Sequence, residues 1–276
     1  MSGGFRSRSA GRRSQETARN QEPERKGQKN GRGDRRGQAS RRGGANKRGP
    51  ATRTGDAARE AAFDVLLRVS EEGAYANLAL PALLRERKIS GRDAAFATEL
   101  TYGALRTQGV LDAVIAENSS RELDRIDPRV LAALRLGTYQ LLYTRVSSHA
   151  AVDTSVRLVE AAGQGKAKGF ANGILRTIDR STPQQWFDRL TPSGALEAAA
   201  FRHAHPAWIA GSFFAALGLD SESSPDQLAE LERALESDSA RPTVHLVARP
   251  GELSAEELAL SIGGEEGTYS PYAVYL

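Results

Sequence analysis

The chain has 276 residues, room for one large or two small domains with tails, and no cysteine, which excludes disulfides, thiolate metal ligands and a cysteine nucleophile among its own residues. Its formal charge of +4 hides a split: residues 1–55 hold 16 Lys/Arg against 4 Asp/Glu, a balance of +12, and residues 56–276 hold 22 against 30, a balance of −8. The basic character therefore lies in the tail, and an acidic body must gather its cations locally to hold a polyanion.

Residues 1–55 read as a disordered, Arg/Gly-rich basic tail. The stretch has one aromatic, Phe5, and almost no aliphatic side chains, so it cannot bury enough surface to offset its ordering entropy. Pairs such as Arg12-Arg13, Arg35-Arg36 and Arg41-Arg42 leave guanidinium groups free to meet phosphate without sequence choice; the plainer reading is a solubilising arm. No apolar run approaches the ~18 residues of a membrane span, and no hydrophobic segment of a secretory signal follows the N-terminus. A cytoplasmic protein without membrane contact is expected.

From Thr54 the pattern becomes helical. Ala58, Ala62, Val65, Leu66 and Val69 form a stripe that Gly73 ends. A second helix runs from Asn77 to Arg87. Ser90 with Asp93 predicts a capping box for a third, which ends near Thr107. A fourth covers Val110 to Ile115. Asp127-Pro128 opens a fifth, Ser147 or Ser148 a sixth, and Phe170 begins a seventh that ends near Arg180. Seven amphipathic helices with short connections predict an all-α bundle over residues 56–182. Residues 183–240 read as a helical linker region with an apolar cluster at Trp186, Phe187 and Leu190. Over residues 241–276 the period shifts: Thr243 to Val247 and Tyr272 to Leu276 read as strands flanking a capped helix from Ser254 to Leu260. Two lone strands are not stable by themselves, so this stretch is expected to be the incomplete start of an α/β region.

Asn172 is the awkward residue of the seventh helix, because its side chain competes for backbone hydrogen bonds. Two readings apply: a structural bond to the end of a neighbouring helix, or a polar contact to RNA beside Lys166, Lys168 and Arg176. The turn from Gly163 to Gly169 can present both lysines and backbone N–H groups to phosphate. Arg106, Arg135 and Arg180 complete the basic residues assigned to RNA. The plainer reading of each is a cation placed favourably near a helix C-terminus. His203 and His205 are read as packing at the linker rather than metal ligands, since no third ligand stands near in sequence. His149 reads as a cap or core residue rather than a base, and Tyr139 and Tyr143 read mainly as core, with base stacking as the lesser reading.

Residues 56–182 resemble the NusB-like all-α RNA-binding domain. Four segments carry the likeness: Asp93 to Arg106, Leu134 to Tyr143, Ser148-His149-Ala150-Ala151-Val152, and Phe170 to Arg176 with its Asn172-Gly173 pair. The chain beyond the bundle resembles the RsmB/Sun family of ribosomal RNA cytosine methyltransferases, through His205-Pro206-Ala207-Trp208, Arg241-Pro242-Thr243-Val244 and Ser270-Pro271-Tyr272-Ala273-Val274. Val247-Ala248-Arg249 departs from the Arg-Val-Asn of many members. The resemblance implies RNA as partner, ribosomal RNA in particular, and S-adenosylmethionine as cofactor of the full-length family. It also implies a glycine-rich cofactor loop and a catalytic cysteine, neither of which stands in this sequence. The expectation is an RNA-binding module truncated before the cofactor site and inactive alone, with no catalytic, cofactor or metal residue assigned. The runner-up is a stand-alone NusB-type antitermination factor that binds RNA and a ribosomal protein; a third reading is a protein-interaction bundle.

Overall fold

A computed structural model describes residues 54–220, 223–240 and 243–276. The tail expectation falls almost wholly outside these residues, as does Arg241-Pro242.

Seven helices form the bundle: α1 (Ala57–Glu72), α2 (Ala76–Glu86), α3 (Gly91–Arg106), α4 (Gln108–Glu117), α5 (Pro128–Tyr143), α6 (Ser148–Ala161) and α7 (Lys168–Ile178). Asp56 caps α1 through the Arg59 N–H, and Gly73 closes it in the left-handed region. Asp127 caps α5 and Pro128 takes its first turn. The capping box expected at Ser90 is not made: Ser90 is the N-cap, but its side chain bonds no N–H. Gly91 follows at φ 58°, which turns the first residues away from the hydroxyl, and an Asp in place of Glu is a methylene too short to reach back.

α1 lies between two cores. One face, with Ala58, Ala61 and Val65, packs on Leu80 and Leu83 of α2 and Ala97 of α3. The other, with Ala62, Phe63 and Leu66, enters the main core of Leu100, Leu111, Ile115, Leu134, Leu136, Leu175 and Ile178. Two glycines allow close approaches between helices of the bundle. A Cβ on Gly137 would stand 2.8 Å from Leu175 Cδ2 and from Ser155 Oγ, so glycine is what lets α5 pack against α6 and α7. A Cβ on Gly103 would stand 2.0 Å from the Tyr139 ring, which lies over the α3 backbone and donates from its hydroxyl to Glu99 Oε1 at 2.6 Å.

α8 (Pro183–Leu190) opens on a Thr182–Gln185 capping box. The sequence places it in the linker region, yet Trp186 is 2% exposed inside the main core. Its indole N–H donates to Ile178 O at 3.0 Å, satisfying a carbonyl at the end of α7. α9 (Ala195–Arg202), α10 (Ala207–Ala216) and α11 (Pro225–Ser239) share a separate core of Ala199, Ala200, Ala210, Leu231 and Leu235. Phe187 bridges the two parts, with its ring edge-on to Tyr143 at 6.4 Å and to Phe201 at 6.1 Å.

The last stretch holds β1 (His245–Val247), α12 (Ala255–Ile262), β2 (Glu265–Glu266) and β3 (Ala273–Tyr275). β2 is an addition to the two predicted strands; two residues after a Gly-Gly turn carry no readable period. The sheet is antiparallel in the order β1-β3-β2, with Leu246 and Glu266 both opposite Val274. α12 covers one face through Ala255 and Ala259 against the buried Val274. This central strand and its covering helix supply the mutual burial that two lone strands lack.

Candidate nucleic-acid interface

α7 presents two very different sides. Ala171, Ile174, Leu175 and Ile178 are buried. Gly169, Asn172, Gly173, Arg176 and Thr177 are exposed, and Lys168 is half-buried at the start. Lys168, Asn172, Arg176 and Arg180 recur every fourth residue, so the first three stand on one ridge at a rise of about 6 Å per step. Arg180 continues the series in the turn after the helix. Gly169 and Gly173 lie one residue further round, and a Cβ on either would meet nothing within 4 Å. Neither glycine is required by packing, and each costs the helix about 1 kcal/mol relative to alanine. The ridge is thus flanked by bare backbone open to a close-approaching partner.

The Asn172 side chain makes no hydrogen bond among the described residues. The structural reading of this residue, a bond to a neighbouring helix end, is therefore not what the geometry shows; its amide faces solvent in line with the cations. Arg176 and Arg180 are exposed, and their side chains likewise have no partner among the described residues. Lys166 sits exposed in a short 3-10 turn, Gly165–Ala167. Lys168 Nζ pairs with Glu160 Oε2 at 2.9 Å, with both side chains partly open to water, so the pair is weak and exchangeable. No side chain caps the N-terminus of α7. The preceding turn is anchored by Gln164, which donates to Asp127 Oδ2 at 2.9 Å.

One contributor carries no signal in the sequence. Arg121, in the loop after α4, lays its guanidinium over the Phe170 ring at 5.0 Å from the centroid and stands exposed beside the start of α7.

The other assigned residues are placed elsewhere. Arg135 is turned inward and makes a two-pronged pair with Asp112, Nε to Oδ1 at 2.7 Å and Nη2 to Oδ2 at 2.8 Å. With only 14% of its side chain open, Arg135 clamps α5 to α4 and is not offered to a ligand. Arg106 ends α3, is exposed, and donates to Ser239 O at 3.4 Å; it faces the linker helices. His149 is exposed in the first turn of α6, neither cap nor core. His203 joins Arg202 on Glu232, and His205 meets Asp238 Oδ2 at 3.0 Å, so both histidines fasten the α9–α10 turn to α11. Burial alone would raise the Glu232 carboxyl, but the hydrogen bonds from Arg202 and His203 outweigh it and hold the group below the usual carboxylate range.

The Gly263-Gly264 pair is a turn and not a nucleotide-binding loop. A cofactor loop of that kind follows a strand and opens a helix, whereas Gly263 closes α12 in the left-handed region and Gly264 leads into β2.

Residues 56–180 match the model of the NusB family. The chain is 53% identical over 222 residues to "Putative methyltransferase MT1451" of Mycobacterium tuberculosis (strain CDC 1551 / Oshkosh), an alignment that covers 79% of this chain and 47% of the relative. It is 34% identical over 151 residues to the ribosomal RNA small subunit methyltransferase B of Escherichia coli O1:K1 / APEC, covering 55% of this chain and 33% of that protein. The chain thus spans about half the length, or less, of these curated relatives. Among solved structures, that of PH0851 superposes with a TM-score of 0.56 at 16% identity, over 82% of this chain and 49% of that one, a likeness of fold.

Proposed function

We propose, for a chain that belongs with the RsmB/Sun family and whose residues 56–180 are a NusB-family domain, that the folded part is the RNA-binding, targeting module of an S-adenosylmethionine-dependent ribosomal RNA cytosine-C5 methyltransferase. In this reading residues 56–182 hold RNA, residues 183–240 link, and residues 241–276 begin the methyltransferase α/β region. Carbon-5 methylation in this family proceeds through a cysteine thiolate, and this chain has no cysteine, so the nucleophile is not among its residues.

The observation that carries the reading is the α7 ridge. Lys168, Asn172, Arg176 and Arg180 project from an acidic body at regular intervals, with glycine backbone beside them and an uncapped helix start behind Lys166. Cations spaced along a helix suit successive phosphates, the helix start adds N–H donors, and exposed glycines admit a sugar-phosphate chain closely. Arg121 on Phe170 widens the same basic end. The 222-residue likeness to a methyltransferase extends beyond the NusB-family region and favours this reading over a stand-alone antitermination factor with a ribosomal-protein partner.

The test is binding of the full chain to ribosomal RNA helices across a salt series. Affinity should fall with salt, with a slope that reports the phosphates neutralised. Lys168→Ala with Arg176→Ala should flatten that slope by about 1 to 2 and weaken binding about tenfold at moderate salt. Unchanged slope and affinity in the double variant would remove the ridge from the interface.

A further inference from the structure

A cleft of about 570 Å³ opens between the ends of α3 and α5 on one side and the ends of α9 and α11 on the other. Its floor is Tyr143, whose ring stacks on Tyr139 at 5.4 Å and 19° and is held edge-on by Phe187. Tyr143 is 37% exposed. Arg106, which donates to Ser239 O, and Arg202, which pairs with Glu232, line the cleft and are both exposed. Glu236 lines it as well, opposite Glu99, which already accepts from Tyr139. A surface of two arginines and two carboxylates is no bare phosphate trap. A rigid aromatic floor, cationic rim and carboxylate acceptor together match the three parts of a nucleotide: a π-face, a phosphate, and a base edge with an exocyclic amine.

We propose that this cleft takes one unpaired, amine-bearing nucleotide of the bound RNA, its base stacked on Tyr143, its phosphate held by Arg106 and Arg202, and its amine donating to Glu236. The proposal rests on the RNA-binding reading above and adds to it a second site, distinct from α7, that reads single-stranded RNA. The floor is pre-formed: Tyr139 is fixed by Glu99 and by the absence of a side chain at Gly103, and Tyr143 is fixed on Tyr139. Burial pushes the Tyr143 phenol up to about 12, so the ring stays neutral beside a phosphate at physiological pH.

The experiment compares two fluorescent probes on the full chain, a short oligocytidine and an RNA duplex of equal charge. Arg106→Gln and Tyr143→Leu should each weaken oligocytidine binding, by about fivefold or more for the loss of base stacking on Tyr143, and leave duplex binding unchanged. Arg106→Gln alters an exposed residue and keeps the test alive if Tyr143→Leu impairs folding. An iodocytidine-bearing oligomer should photocrosslink to Tyr143 in the unaltered chain. Equal losses on both probes, no loss on either, or crosslinks that map away from the cleft would overturn the proposal. Lys168→Ala with Arg176→Ala separates the two readings, because it should weaken duplex binding and leave the short oligocytidine, held in the cleft, unchanged. If the unaltered chain binds neither probe, the RNA-binding reading fails and the cleft proposal with it.

Discussion

Gly103→Ala should destabilise the bundle although alanine is the better helix former. The added Cβ would stand 2.0 Å from both Cζ and the hydroxyl oxygen of Tyr139, and 2.6 Å from Cε2. The ring cannot simply swing aside: Tyr139 is 5% exposed, stacked on Tyr143 and tied to Glu99. Overpacking of this kind costs about 1–3 kcal/mol, and displacing the phenol forfeits a hydrogen bond worth about 1 kcal/mol. Against this stands a helix-propensity gain of about 1 kcal/mol. The net expectation is a loss of about 1–3 kcal/mol in urea unfolding followed by circular dichroism, with an unchanged denaturant slope. In a Tyr139→Leu background the clash is gone, so Gly103→Ala should become neutral or stabilising, a coupling of about 1–3 kcal/mol between the two positions. A Gly103→Ala chain as stable as the parent, or no coupling in the cycle, would refute the close approach of ring to backbone.

Gly173→Ala should do the opposite for stability, gaining up to about 1 kcal/mol because its Cβ meets nothing, and yet weaken RNA binding in a filter assay; a gain in stability without loss of affinity would mean that no partner approaches that backbone. Arg135→Ala should cost about 1–3 kcal/mol by stranding the half-buried Asp112 and leave RNA affinity, normalised to folded protein, unchanged; a selective affinity loss in the folded variant would return Arg135 to the interface. Glu232 has a lowered folded pKa, so its contribution to stability is present above the unfolded carboxylate value and is lost as pH falls through the folded one. Acidification below the ordinary carboxylate range should therefore loosen α9–α11, seen as lost amide-exchange protection, whereas Glu232→Gln should be weaker at neutral pH and flatter across that window.

The bundle is written plainly in the sequence because its signals are local. Periodic apolar residues, Gly73 after α1 and Asp127-Pro128 before α5 each fix an element within a few residues. The candidate interface is only half legible. Lys168, Asn172 and Arg176 share a spacing that any helix would convert into one ridge. Arg135 has the same sequence character as Arg176, a basic residue on an amphipathic helix, and only the tertiary position of Asp112 turns it inward. Arg121 becomes interesting solely because a loop lays it over Phe170. α9 is an Ala-rich segment with no strong stripe, and its pairing with α10 and α11 comes from a core that no window along the chain contains. β2 is too short to have a period, and exists because β3 offers it an edge.

The hydrogen bond from Trp186 to Ile178 O joins the boundary between two regions into one cooperative unit. Detaching α8 would bare a large indole and break its hydrogen bond to the Ile178 carbonyl at the end of α7. The seam along which this chain opens is thus not at Ser181 and Thr182, where the bundle pattern stops, but at residues 191–194, past the end of α8, where Pro192, Ser193 and Gly194 lie exposed between two cores. Within the folded part, a protease sampling local openings would cut there before residues 181–182, and the fragment it releases would carry α7 with its C-terminal turn still closed by the tryptophan.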